Sequence, residues 1–254
     1  MQFYHSKLLS NISNITHAFT TIQSGNLAFH VNDEINNVNI NHINLSKKLN
    51  YNKQSLIHMK QIHSKTVHTV DANDNFNNAP TCDALITDKI NTPLMVMVAD
   101  CSPLLFFDTK KNVIAVAHAG REGTFSNIVK NVINSFKENY NSNPKDIIVS
   151  IGASIKKCCY EVGDEIYKES CSLNLNYAIE KKDESYYLDI SKILKTQLLD
   201  AGVEEKNIEI STECSCCEED KVNSEAREGS LGYKYFSYRA NKKSGRFCGV
   251  IFLK

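Results

Sequence analysis

Nowhere in the 254 residues does an apolar run approach the roughly 20 residues that carry a helix across a bilayer, so no membrane partner is expected. Net charge is missing as well. The 29 Lys and Arg balance 29 Asp and Glu, and without a basic field nothing draws in nucleic acid phosphates. A small, neutral or weakly charged substrate suits that balance. The first residues, Met1 to Lys7, lack the charged segment and apolar run of an export signal, so a cytoplasmic location is expected. There is no internal repeat and no linker rich in Pro, Gly or Ser. One compact domain over residues 1–254 is the expectation, as a monomer or homodimer.

What is present is ordinary in bulk, with 42% hydrophobic and 23% charged residues in a chain long enough to bury a core. Nine cysteines are an odd number, and the adjacent pairs Cys158-Cys159 and Cys216-Cys217 suit no secreted disulfide framework, so reduced thiols are expected. Asn is abundant in the first 80 residues and is read as a trace of nucleotide composition without function, with Asn73 to Pro80 as a surface loop. From Leu94 the texture changes. Short apolar runs at Leu94 to Ala99, Leu104 to Phe107 and Val113 to Ala117, bounded by turn residues, predict buried strands. Phe125, Ile128, Val129, Val132, Ile133, Phe136 and Tyr140 then recur at helical spacing behind Thr124 as N-cap. A strand at Ile147 to Ile151, a helix from Ile190 to Ala201 ended by Gly202, and strands at 207–211 and at Phe247 to Leu253 complete the pattern. Alternating strands and helices predict an α/β or α+β fold, with mixed sheets flanked by helices.

Two strand ends carry reactive side chains, Ala99-Asp100-Cys101-Ser102-Pro103 and Ala117-His118-Ala119-Gly120. A hairpin turning about Asp108 to Asn112 sets Phe107 opposite Val113, and His118 then falls opposite Ser102 and diagonal to Cys101. Side chains about 5 to 8 Å apart in such a pair are near enough to share a metal ion or a proton. A third donor would come from His58, His63 or His68, among which spacing alone does not choose. One Cys with two His is an open three-ligand set of the kind that catalytic zinc sites use. The cluster Cys214-Ser215-Cys216-Cys217, followed by Glu218-Glu219-Asp220, is read as having neither C-x-x-C spacing nor a second half, so a loop with incidental thiols is expected.

Several segments are specific when taken together: Met59-Lys60-Gln61-Ile62-His63-Ser64, Cys82-Asp83-Ala84-Leu85-Ile86-Thr87-Asp88, Ala99 to Pro103, His118-Ala119-Gly120, Cys158-Cys159-Tyr160-Glu161-Val162-Gly163 and Phe236-Ser237-Tyr238-Arg239. In this order they resemble the multicopper polyphenol oxidoreductase (laccase-domain) family, also described as purine nucleoside phosphorylases and as the peptidoglycan editing factor. The stretch from Asn26-Leu27 through Val31-Asn32-Asp33 is similar to the family's N-L-x-x-H-V-G-D, with Asn32 replacing the glycine. The resemblance implies an α/β domain with mixed sheets and metal ligands at His63, Cys101 and His118. It also implies zinc, with copper as the alternative, action on purine nucleosides, and Asn26 among the substrate contacts.

There are two departures from the family pattern. The family's H-A-G-W-R-G-T is here His118-Ala119-Gly120-Arg121-Glu122-Gly123-Thr124, so Glu122 is expected to repel anions at the pocket mouth and weaken phosphate binding. Arg121, on an extended segment, is expected to point the opposite way from Glu122. The family's G-P-x-I-G is Gly152-Ala153-Ser154-Ile155-Lys156, which leaves the shape of that loop open.

Three chemistries compete. In the favoured one, a zinc-dependent enzyme cleaves adenosine, inosine or guanosine with phosphate held by Arg239 or Arg246, or deaminates adenosine, with Asp83 or Asp100 shuttling the proton. In the second, Cys101 is a nucleophile with His118 as its base, in a hydrolase or amidase that edits peptidoglycan precursors. The third, copper-dependent phenol oxidation, calls for many histidines in H-x-H pairs, and the eight here form none.

Overall fold

Strands buried on both faces read as unbroken apolar runs, and the layering of this chain follows from that. The computed structural model describes residues 2–31, 33–219 and 233–254; Asn32, noted above for replacing a family glycine, lies outside them. The elements run β1 (Phe3–Tyr4), α1 (Lys7–Ser10), β2 (Ile15–Thr20), α2 (Ile35–Leu49), β3 (Val67–Thr69), β4 (Ala84–Thr87), β5 (Leu94–Val98), β6 (Ser102–Asp108) and β7 (Val113–Ala119). They continue with α3 (Arg121–Phe125), α4 (Ile128–Tyr140), β8 (Ile147–Ile151), β9 (Glu161–Val162), α5 (Asp164–Ser172), β10 (Ile179–Lys182), β11 (Ser185–Leu188), α6 (Ile190–Asp200), β12 (Ile208–Ile210) and β13 (Phe247–Leu253).

A six-stranded mixed sheet, ordered β12-β8-β6-β7-β4-β3, packs on a four-stranded antiparallel sheet, ordered β1-β2-β13-β5, and β10-β11-β9 form a third, small sheet. Alternate residues of β6 serve two cores. Leu104 and Phe106 pack with Ala115 and Ala117 against Val132 and Phe136 of α4 and Leu194 of α6. Leu105 and Phe107 pack with Ile114 and Val116 against Phe19, Val96 and Ile251 of the second sheet. Leu45 and Leu49 of α2 close the far side over Ala18, Met95 and Val250. The order is helices, sheet, sheet, helix, an α/β fold as expected. Each fully buried Leu or Phe contributes about 1.5 to 3 kcal/mol, so β6 and β7, buried along their whole length, are the energetic centre.

The hairpin of β6 and β7 forms, but one residue away from the expected register: Asp108 pairs with Val113, Phe107 with Ile114 and Pro103 with His118. The cause is Asp108. It extends the strand, and its Oδ1 accepts from the N–H groups of Lys110 and Lys111 at 2.8 and 3.0 Å, closing the loop behind it. A one-residue slip exchanges the two faces of a strand. His118 therefore shares a face with Leu105 and Phe107, toward which Cys101 also packs.

Thr124 is not an N-cap. It lies inside α3, and the expected helix starts afresh at Ile128, where Asn127 at φ 60° turns the chain and its side chain accepts from Lys130 N–H. The Asn-rich stretch hides α2, whose Val38, His42, Leu45 and Leu49 are buried at i, i+4, i+7 and i+11. Asn50 ends α2 and Asn141 ends α4, both in the left-handed region. Among the described residues, six of the nine non-glycine residues with positive φ are asparagine, but only Asn50 of these lies in the first 80 residues, so asparagine serves backbone geometry mainly in the rest of the chain.

Candidate active site

The loop before β3 and the loop before β6 leave the extended conformation where each presents a donor. His63 has φ 61° and Asp100, next to Cys101, has φ 88°. Each such conformation costs a non-glycine residue roughly 1 to 3 kcal/mol and persists only when its surroundings hold it. Asp83 holds the first. Its carboxylate accepts from the N–H groups of Ile62 (3.3 Å), His63 (3.0 Å) and Ser64 (2.7 Å) and from Ser64 Oγ (2.8 Å), and its Oδ1 also faces His118 Nδ1 at 2.8 Å. For Asp100, Ser215 Oγ donates to Oδ1 at 2.7 Å and Arg239 N–H to Oδ2 at 2.6 Å.

The result is convergence. One ligand atom from each of His63, Cys101 and His118 lies within 4.8 Å of the other two, and the imidazoles meet edge to face at 4.8 Å between centroids. Asp83 occupies Nδ1 of His118, which leaves Nε2 for the cluster. Gly120, the N-cap of α3, makes room: a Cβ there would stand 3.0 Å from Cys101 Sγ and 3.1 Å from His63 Cδ2. Burial pushes the Cys101 thiol up, but His118 and then His63 more than offset it and hold the thiol below its ordinary range. Burial pushes His118 down, and Cys101 with Asp83 holds it above. Asp83 would be raised by burial, yet the His118 and Ser64 donors bring it to about 2. A thiolate with two imidazole nitrogens is a donor set that fits zinc or copper and leaves a fourth position toward solvent.

These donors floor a cavity of about 610 Å³, within the usual range for small-molecule sites. Tyr160 and Tyr238 form walls, Arg121, Arg239, Lys242 and Arg246 stand around it, and Asp100 is the one carboxylate among the described lining residues. The cavity is thus cationic in a chain with no net charge. Among the described residues no carboxylate pairs with the Arg239 side chain: its guanidinium donates to the carbonyls of Cys159 (3.3 Å) and Glu161 (3.0 Å) and lies 5.4 Å from the Tyr160 ring. Arg121 is neutralised by Glu169 at 2.6 Å and Glu122 at 3.2 Å.

Of the three histidines left open by spacing, His63 joins Cys101 and His118. His58 bonds the Phe76 carbonyl and His68 bonds Asp74. Four expectations are corrected. Asp83 is fully buried behind His118 and outside the cavity lining with both oxygens taken, so its direct contacts orient the site and reach the cavity only through His118 and His63. Asn26 lies outside the cavity lining, its amide spent on Ala28, Asp33 and the Arg246 N–H, so it positions Arg246. Glu122 is not in the lining either and pairs with Arg121, so it does not confront an anion in the cavity. The segment carrying both residues is helical and not extended. Sequence reasoning passed over His30, Gln61, Tyr160 and Lys242, which line the cavity. His30, as the histidine of the N-L-x-x-H-V-G-D stretch, Gln61 and Tyr160 sat inside the motif segments, whereas Lys242 had no signal.

Residues 15–254 match the family model described as multi-copper polyphenol oxidoreductase laccase. A purine nucleoside phosphorylase of Clostridium acetobutylicum is 35% identical over 93% of this chain and 91% of its own length. Purine nucleoside phosphorylase YlmD of Bacillus subtilis is 29% identical, over 91% and 83%. Among solved structures, YlmD from Geobacillus stearothermophilus superposes with a TM-score of 0.86 at 25% identity, covering 98% of this chain and 94% of that one. The Bacillus licheniformis hypothetical protein YfiH gives 0.83 at 27% identity, covering 94% and 93%.

Proposed function

The chain belongs to the multi-copper polyphenol oxidoreductase laccase family, and from that premise we propose that it cleaves purine nucleosides with phosphate at the site floored by His63, Cys101 and His118. The supporting observation is the joining of this donor set to a cationic cavity large enough for a nucleoside. A bound zinc ion, or copper in its place, supplies a Lewis acid at the cavity floor. Arg239, with Lys242 and Arg246, draws phosphate to the rim, where charge-assisted hydrogen bonds to guanidinium groups hold it. Tyr160 and Tyr238 offer faces to the purine. A phosphate oxygen attacks the anomeric carbon, the C1′–N9 bond breaks, and the purine leaves with the electron pair and takes up a proton, giving ribose 1-phosphate. Adenosine deamination is the phosphate-independent counterpart at the same donors, with water entering at C6 and ammonia leaving.

The thiolate-favouring Cys101 beside His118 supports a second reading, a metal-free Cys-His hydrolase acting on amides. Free thiols at all nine cysteines suit a cytoplasmic setting. Among the described residues no helix is long and apolar enough to cross a membrane. A nucleoside panel, run with and without phosphate on metal-stripped and reloaded protein, tests the proposal. Base release should require phosphate, vanish with chelator and return with zinc. Full amide hydrolysis by stripped protein, with no nucleoside turnover after reloading, would overturn it in favour of the second reading.

A further inference from the structure

The second half that the Cys214 to Cys217 cluster lacks in sequence is supplied by the fold. Ser154 bridges Cys214 in parallel fashion and its carbonyl accepts from Ser215 N–H at 3.0 Å, which brings the loop after β8 against the loop after β12. In the turn that follows, the N–H groups of Cys159 and Tyr160 both return to the Lys156 carbonyl. The thiols of Cys158, Cys159, Cys214 and Cys217 then lie within 4.8 Å of one another. Cys214 and Cys217 also stand in C-x-x-C spacing, which the sequence reading overlooked.

We propose that these four cysteines form a second metal site, a structural one, that takes a zinc ion in an all-thiolate shell. The geometry is close to final. A Zn–S bond of about 2.3 Å gives a tetrahedron with sulfur-to-sulfur edges of about 3.8 Å, and Cys158 Sγ stands 3.7 Å from Cys217 Sγ. A backbone donor already faces one of the sulfurs: Lys156 N–H points at Cys214 Sγ at 3.4 Å. The Lys156 side chain donates to the Ser154 and Ser191 hydroxyls at 3.1 and 2.9 Å, which fixes the residue whose N–H reaches Cys214. Four sulfurs and no open position is the composition of a closed site, which contributes folding energy and no turnover.

Its place in the fold gives it a task. Cys159 precedes Tyr160 on the cavity wall, and its carbonyl holds Arg239. Ser215, between two ligands, holds Asp100, the residue before Cys101. The ion therefore ties the wall of the cavity to the strand end that presents Cys101. Metal uptake here is independent of what the cavity does.

Cobalt titration of the full chain carrying Cys101→Ala, which silences the cavity cluster, tests this under reducing conditions. One equivalent of Co²⁺ should bind, with the thiolate charge-transfer band and intense d–d bands of a tetrahedral four-sulfur site, and zinc should displace it. Zinc loading should also hide four thiols from a thiol reagent relative to the metal-free chain. Cys158→Ser and Cys217→Ser should abolish the spectrum, Cys216→Ser should keep it, and Cys217→His should keep the equivalent with a shifted spectrum. If the serine variants do not fold, the thiol count on the Cys101→Ala chain decides alone. Absence of the thiolate band, a band that survives Cys217→Ser, or thiols that zinc does not hide would overturn the site. Nucleoside turnover by the unsubstituted protein bears on neither result.

Discussion

Asp83 is a carboxylate that answers to two imidazoles at once, one through its ring nitrogen and one through the backbone that carries it. Asp83→Asn keeps the volume, but whichever way the amide turns, its NH₂ meets at least two N–H donors. Loss of such an orienting partner typically costs 10–100-fold in metal affinity or activity, so that drop is expected, read by competition with a chelator. Gly120→Ala should weaken metal binding as well, because the added methyl stands 3.0 Å from Cys101 Sγ, and it should do so with little change in the unfolding midpoint. Cys101→Ala should remove the cavity's metal and nucleoside turnover together, while Cys216→Ser should leave both, by elemental analysis and assay. At this scale the motif segments made His63, Cys101 and His118 legible. Asn26 and Asp83 were legible as residues that matter but not as residues that position others, because that distinction depends on which hydrogen-bond partners are already taken. His30 was legible as the histidine of the N-L-x-x-H-V-G-D stretch, whereas Lys242 belongs to no motif segment.

Elements were legible where burial is continuous and illegible where a single polar side chain decides a boundary. The strands β5 to β8, β12 and β13 fall close to their apolar runs, whereas the hairpin register turned on one Asp108 carboxylate and the start of α4 on one Asn127 side chain. The helix α2 escaped because its apolar stripe is diluted by asparagine. Left-handed asparagines at helix ends give a direct check at an exposed site. Asn141, at φ 52° with its N–H bonded to the Lys137 and Phe136 carbonyls, ends α4. Asn141→Gly should change stability by no more than about 0.5 kcal/mol, and Asn141→Val should cost roughly 1 to 2 kcal/mol, both measured from urea midpoints.

At the scale of the whole molecule, layering makes acid a global stress. His17 on β2 and His42 on α2 are buried neutral, each lowered to about 4, mainly by burial. Their roles differ: His17 Nε2 accepts from Ser6 N–H, and His42 bonds the Leu27 carbonyl. Unfolded histidines titrate near 6.5, so between pH 6.5 and 4 the unfolded chain binds protons that the folded chain refuses. Stability is therefore whole above 6.5 and falls as pH drops toward 4, by up to about 3 kcal/mol for each residue. Urea unfolding at pH 7.5, 5.5 and 4.5 should show the decline, and His42→Gln should make it shallower; an equal slope in that variant would place the loss elsewhere. The α/β class was legible from alternation alone, but the pairing of sheets was not, since β13 finds β2 and β5 across most of the chain.

That last pairing sets a timetable. β13 fills the slot between β2 and β5, matching Val250 to Ala18 on one side and to Met95 on the other, and it is translated after every other strand described here. Until residues 247–253 clear the ribosome, two strands hold facing rows of unpaired N–H and C=O groups, and Phe19 and Val96 lack the Ile251 they pack with. The nascent chain thus carries adhesive edges through most of its synthesis, and the sandwich closes only after translation has passed Leu253.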